Sequence, residues 1–123
     1  MKVSLNNGGL ADGRFTDAGG QVWSVTRLIE HSKGLVPFDM PLAGICISEP
    51  VFRESKTARS IAEHVKRVNE TDLQYPILLD PDGFIMDGWH RVVKALVEGH
   101  ETIKAVRFLK LPFCDFTEPS TSR

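Results

Sequence analysis

Tyr75-Pro76-Ile77-Leu78-Leu79-Asp80-Pro81-Asp82-Gly83-Phe84-Ile85-Met86-Asp87-Gly88-Trp89-His90-Arg91 is the most legible stretch of this chain. Tyr75–Leu79 is a short apolar run with proline near its start and reads as a strand. In Asp80-Pro81-Asp82-Gly83 the proline at the second position and the glycine at the fourth suit a type I turn, so the chain reverses into Phe84-Ile85-Met86 as a β-hairpin. Asp87 then has the side chain of an N-cap. The helix it opens is predicted from Gly88 to Glu98, burying Val92, Val93, Leu96 and Val97 and stopping at a left-handed Gly99. Thr102–Leu109 is a further apolar strand. Strand, helix and strand in that order predict a right-handed crossover that sets Ile103–Phe108 parallel to Phe84–Met86.

Upstream, Ala58, Ile61, Ala62, Val65 and Val68 recur at three- and four-residue steps. Lys56, Arg59, Glu63, Lys66 and Arg67 stand opposite them, an amphipathic helix over Thr57–Asn69 with Ser55 as its N-cap. Leu42–Ser48 suits a buried strand, although a run of that length also suits a helix. Pro37-Phe38-Asp39-Met40-Pro41 cannot continue a helix and reads as a loop. Val22, Trp23 and Val25 suggest a strand, after which Thr26 caps a helical turn through Leu28, Ile29 and His31 that ends at Gly34. Asn6-Asn7-Gly8-Gly9, Asp12-Gly13 and Gly19-Gly20 make residues 1–20 a flexible or hairpin-like lead-in. Residues 21–111 form the domain, and 112–123, rich in Thr, Glu, Pro and Ser, form a loose tail. Trp23, Phe38 and Phe84 are expected in the core.

The 123 residues carry 15 Lys+Arg against 16 Asp+Glu, a formal charge of −1. With 41% apolar and 25% charged residues the composition is that of one folded domain, and it excludes a collagen, a wholly disordered chain and a disulfide scaffold. Non-specific DNA affinity rests on many Lys/Arg–phosphate contacts, which this charge balance does not advertise. Cys46 and Cys114 belong to no zinc-ligand spacing and are expected as reduced, buried thiols of a cytoplasmic protein. No run reaches the roughly 18 apolar residues of a membrane span, and the first residues lack a secretory apolar segment.

Met86-Asp87-Gly88-Trp89-His90-Arg91 places a glycine and two potential cations at a helix start, where the first backbone N–H groups lack partners and the dipole is positive. A cation there calls for an anion. For Arg91 it is either a carboxylate, Asp87 four residues earlier or Asp80 and Asp82, or a phosphate held by the amides, His90 and the guanidinium. Spacing alone favours the carboxylate. Thr57, Ser60 and His64 share one face of the preceding helix, either as a polar edge or as ligand-binding groups. Asp80 and Asp82 are read as turn residues, and Asp87 first as a cap and second as a metal neighbour. Trp89 is a hydrophobic lid or a platform for a base. Glu30 reads as a solvated glutamate or, second, as a base for an acceptor hydroxyl, and His31 and His100 have no partner that sequence names.

The hairpin, Asp87-Gly88-Trp89-His90-Arg91, the apolar helix, Gly99 and the strand Thr102–Phe108 together resemble the ParB/sulfiredoxin superfamily. The resemblance covers residues 76–108 and extends back to 43. That superfamily has a G-x-H-R or G-E-R-R motif at a helix start that holds nucleotide phosphates. The resemblance implies an α+β fold with a small mixed β-sheet and packed helices. It also implies a site that grips the phosphates of ATP or CTP through Gly88, Trp89, His90 and Arg91, with Ser60 and His64 contributed by the preceding helix.

Sulfiredoxins carry their reactive cysteine where this chain has Trp89, so their thiol chemistry is not expected. Partition proteins add a DNA-reading domain that has no counterpart here, so sequence-specific DNA binding is not expected either. The resemblance implies Mg²⁺-dependent NTP hydrolysis or phosphoryl transfer, as by an NTPase or small-molecule kinase. His90 and Arg91 would stabilise charge, and Asp87 would lie nearest the metal. The alternative is a non-catalytic accessory or regulatory protein of a plasmid, phage or genomic island that binds a protein partner. A third reading is a metal-dependent nuclease.

Overall fold

The computed structural model describes residues 1–5, 13–48, 50–52 and 57–119. In chain order the elements are β1 (Arg14–Thr16), β2 (Gln21–Ser24), α1 (Val25–Ser32), β3 (Phe38–Pro41), α2 (Ala58–Glu70), β4 (Ile77–Leu79), β5 (Ile85–Asp87), α3 (Trp89–Val97), β6 (Thr102–Arg107) and β7 (Phe116–Thr117). The architecture is α+β. Among the described residues there are two sheets, ordered β1-β2-β7 and β3-β6-β4-β5, and three α-helices.

The predicted hairpin forms. Asp80 Oδ1 accepts from the N–H groups of Asp82 and Phe84, each at 2.9 Å, and Gly83 N–H donates to Asp80 O, so the turn closes on its own aspartate. Because β4 is interior and pairs with both β5 and β6, Ile77, Leu78 and Leu79 are all buried. Alternation along the strands then sends side chains to two opposite faces. Ile77, Leu79, Ile103 and Ala105 meet Val92 and Ala95 of α3 on one face. Leu78, Met86, Val106 and Phe108 meet Trp23 and Leu28 on the other. The main sheet is therefore a middle layer between α3 and the unit made by α1 and the small sheet.

β6 runs parallel to β4, with Ile77 opposite Ala105 and Leu79 opposite Arg107, and not parallel to β5 as predicted. The crossover rule applies to the parallel neighbour, and the hairpin turn makes that neighbour β4. β6 is also antiparallel to β3, which makes Phe38–Pro41 an edge strand where a loop was expected. Proline is tolerated there because an edge position leaves its missing N–H without consequence. Leu42–Ser48 is not a strand: Leu42–Gly44 forms a single 3₁₀ turn, with Leu42 N–H on Glu101 O at 3.0 Å.

The helix starts differ from expectation by one or two residues. Ser24 caps α1 in place of Thr26, its Oγ accepting from Arg27 N–H at 3.2 Å. Thr57 caps α2 in a reciprocal capping box with Ser60. Ser55, predicted for that role, lies outside the described residues, as do 6–12 of the lead-in. Asp87 pairs with Leu78 in the sheet, and Gly88, with φ 118°, is the N-cap of α3. Gly99 ends that helix with φ 79°, as predicted.

Leu96 and Val97, expected to be buried, are exposed, and Ala95 takes the core position. Val93 is half-buried. Along α2 no residue is fully buried, and Ile61 and Val65 are about half exposed at 51% and 52%. Phe38 and Phe84 are exposed while Trp23 is buried, so two of the three predicted core aromatics stand on the surface. Both cysteines are free as expected, but Cys46 is exposed and Cys114 half-buried.

The segment after Pro112, predicted as a loose tail, is tied to the first half of the chain. Trp23 Nε1–H donates to Pro112 O at 2.8 Å, Ser24 N–H to Asp115 Oδ2 at 2.6 Å, and β7 pairs with β2. Arg27 adds an ion pair with Asp115 at 3.1 Å and a bond to Phe113 O. Residues 14–16 of the lead-in pair with β2 as a hairpin.

Candidate functional site

The main sheet and α3 join at Gly88. A Cβ there would stand 2.5 Å from Ile77 Cγ2, so only glycine lets the chain turn from β5 into α3 this close to β4. The first intrahelical bond of α3 runs from Val92 N–H to Gly88 O at 3.0 Å. The N–H groups of Trp89, His90 and Arg91 precede it, and no side chain caps them.

Among the described residues Arg91 is the buried charged side chain, 8% exposed, and Asp87 is its carboxylate partner at 3.1 Å. The same Nη2 donates to Pro76 O at 3.3 Å, which ties the helix to the start of β4. The nearer of the two anions considered from spacing is therefore in place. Among the described residues, Arg91 Nε is buried with no acceptor, and so is Arg67 Nε. Both arginines line one cavity of about 210 Å³ with Glu70, Thr71, Asp87, Gly88 and His90.

α2 reaches this cavity through contacts that sequence spacing does not display. His64 Nδ1 lies 2.8 Å from His90 Nε2, and Phe52 stacks on both rings with centroids 4.1 and 4.6 Å away. Burial, with His64, Arg67 and Arg91 beside it, lowers the His90 pKa from 6.5 to about 4. At neutral pH His90 is an uncharged hydrogen-bonding group, and the second cation expected at the helix start is supplied by Arg67.

Of the residues singled out from sequence, Gly88, His90, Arg91 and Asp87 line this cavity, and His64 reaches it through its contact with His90. Ser60 does not join them through its hydroxyl, which is engaged with Thr57 in the α2 capping box. Trp89 turns to another cavity, of about 330 Å³, beside Gly44, Ile45, Cys46 and Phe84, and packs against the buried cluster under α3. Arg67 and Phe52 were missed. Arg67 follows His64 by three residues, one helical turn, and that spacing could have found it. Glu30 pairs with Lys33 and His100 with Glu98 at the surface.

Asp87 and Glu70 are the carboxylates lining the cavity, the first paired with Arg91 and the second with Lys66 at 3.7 Å. Among the described residues no three His, Cys, Asp or Glu side chains are grouped as metal ligands. In the described residues no helix is long and apolar enough to cross a membrane. The chain matches no protein-family model, no curated protein and no solved structure.

Proposed function

We propose that this chain binds a nucleotide by its phosphates at the start of α3, in the manner of a ParB/sulfiredoxin-like domain. The supporting observation is that α2 and α3 converge Arg67 and Arg91 on one cavity at an uncapped helix start, each with a buried Nε that lacks an acceptor. Phosphate oxygens are acceptors that such groups call for, and the helix dipole adds to the attraction. ATP and CTP are the candidate ligands. Their Mg²⁺ would be carried largely by phosphate oxygens, because Asp87 already serves Arg91.

His90 would donate or accept a hydrogen bond, and Arg67 and Arg91 would balance charge developing on the phosphates during hydrolysis or transfer. A second reading, an accessory protein that binds a protein partner, draws on the Arg91–Asp87 pair, which leaves the motif arginine a structural task of its own.

The deciding measurement is thermal unfolding with ATP, CTP, GTP, ADP and AMP, with and without Mg²⁺, on the wild type and Arg67→Gln. Ligand at a hundred times its dissociation constant raises stability by about 2.7 kcal/mol. The reading requires a rise in midpoint with at least one nucleotide that shrinks in the variant. No rise with any nucleotide overturns it and moves the search to protein partners.

A further inference from the structure

A second cavity, of about 390 Å³, adjoins the phosphate cavity and shares Glu70, Thr71, Asp87 and Arg91 with it. Ile29, Tyr75, Pro76 and Leu78 supply its apolar surface. Leu78 is 2% exposed and Tyr75 66%, so the lining runs from the core out to an aromatic ring at the surface. Small-molecule sites are of this kind, about 300–1,000 Å³ and mostly apolar with a few polar groups.

The turn that joins α2 to β4 is fixed from within. Gln74 N–H donates to Asp72 Oδ1 at 2.8 Å, and Tyr75 N–H donates to Asp72 O at 3.2 Å. Lys94 Nζ donates to Thr71 O at 2.7 Å, which ties the residue before the turn to α3. Asp72 and Tyr75 are thereby held beside one cavity. The carboxylates that line it are not equivalent. Asp87 is paired with Arg91 and Glu70 with Lys66, whereas among the described residues Asp72 has no ion pair and bonds only backbone N–H groups of its own turn. Its second oxygen keeps full acceptor capacity.

A nucleotide with its phosphates between Arg67 and Arg91 has a base and a sugar still to place. The adjoining cavity continues from Arg91, while the cavity of Trp89 and Phe84 shares no lining residue with the phosphate cavity. Any base stacks on an aromatic face. A carboxylate is more selective, because it accepts from an amino group and repels a carbonyl oxygen in the same place. Adenine and cytosine carry an amino group where hypoxanthine and uracil carry a carbonyl.

We propose that the base of the nucleotide lies in this second cavity, stacked on Tyr75 with its amino group on Asp72, so that the site selects an amino base over its carbonyl counterpart. This rests on the phosphate-site reading above and assigns that site its base specificity.

Calorimetry at pH 7 with Mg²⁺ compares ATP with ITP, CTP with UTP, and all four with inorganic triphosphate. Whichever of ATP and CTP binds should do so about tenfold more tightly than its carbonyl counterpart, as for one hydrogen bond to a charged group, and more tightly than triphosphate. Asp72→Asn keeps an oxygen for Gln74 N–H and puts an amide N–H₂ where the second oxygen stood, so the preference should vanish or reverse. Tyr75→Ala should weaken the amino nucleotide and its counterpart alike, by a factor of about ten, and leave triphosphate unchanged. Arg67→Gln should weaken every ligand with the preference kept. Asp72 and Tyr75 are both exposed, so neither substitution opens the core.

Equal affinities within each pair, a preference that persists in Asp72→Asn, or triphosphate binding as tightly as the nucleotides overturns this inference and leaves the phosphate site standing. Nucleotide affinity lost in Phe84→Ala but not in Tyr75→Ala does the same and moves the base to the cavity of Trp89. Absence of binding by triphosphate and by every nucleotide overturns both.

Discussion

A Cβ on Gly88 would stand 2.5 Å from Ile77 Cγ2 and 2.8 Å from Ile77 Cβ, so the start of α3 is pressed directly against the interior strand β4. Gly88 also has φ 118°, which side chains rarely adopt. Gly88→Ala should therefore destabilise the protein by about 3 kcal/mol, from backbone strain and overpacking together, read as a lower urea midpoint. Adding Ile77→Ala removes Cγ2 but leaves Cβ, so the two losses should sum to less than their separate values.

Arg91 and Asp87 are nearly buried, with side chains 9% and 15% exposed. Arg91→Met leaves Asp87 without its cation and Pro76 O without its donor, and should cost about 2–4 kcal/mol in denaturant unfolding at pH 7. The further change Asp87→Asn removes the stranded charge and should recover part of that loss. An additive double variant would show that the pair does not act as a unit.

His90 is held at a pKa of about 4 in the folded chain against an ordinary 6.5. Between those values the unfolded chain binds the extra proton and the folded chain does not, so stability should fall as pH drops from about 6.5 to about 4 and stay flat in this respect above 6.5. Urea midpoints across pH 4.5–7.5 check the sign. His90→Gln should flatten the slope.

The Thr57–Ser60 capping box holds the first turn of α2. Thr57→Ala should lower stability by about 1 kcal/mol, while Ser60→Ala, which removes the weaker reciprocal bond, should cost less. Ser60→Ala should also leave any nucleotide-induced rise in unfolding temperature unchanged, because its hydroxyl is turned to the cap.

Trp23 Nε1 fastens Pro112 at 2.8 Å. Trp23→Phe should cost about 1 kcal/mol from the lost bond and speed amide exchange at Asp115 and Glu118, whose N–H groups bond to Val22 O and Gly20 O.

What the sequence determined by itself is what depends on neighbours along the chain. Asp80-Pro81-Asp82-Gly83 sets a turn because the aspartate, proline and glycine satisfy that turn's own backbone, and Gly99 stops α3 for the same kind of local reason. The helix starts slipped by a residue or two where several capping side chains stood in a row, as at Ser24 and Thr26. Sequence also brought the Gly88–Arg91 motif to a helix start, and the four-residue step put Asp87 among the anions offered to Arg91, beside Asp80, Asp82 and a phosphate; the structure pairs Arg91 with Asp87.

Only the tertiary structure decided the rest. Phe38–Pro41 becomes a strand because β6 supplies its hydrogen bonds, and β6 lies beside β4 because α3 packs back across the sheet. The residues after Pro112 are ordered by Trp23, Ser24 and Arg27, far away in the chain. His64 meets His90 across 26 residues, under Phe52, with Arg67 beside them. Periodicity can name the face of a helix. It cannot name the partner, because that choice is made by which apolar faces bury each other and by which polar groups are thereby forced into one cavity.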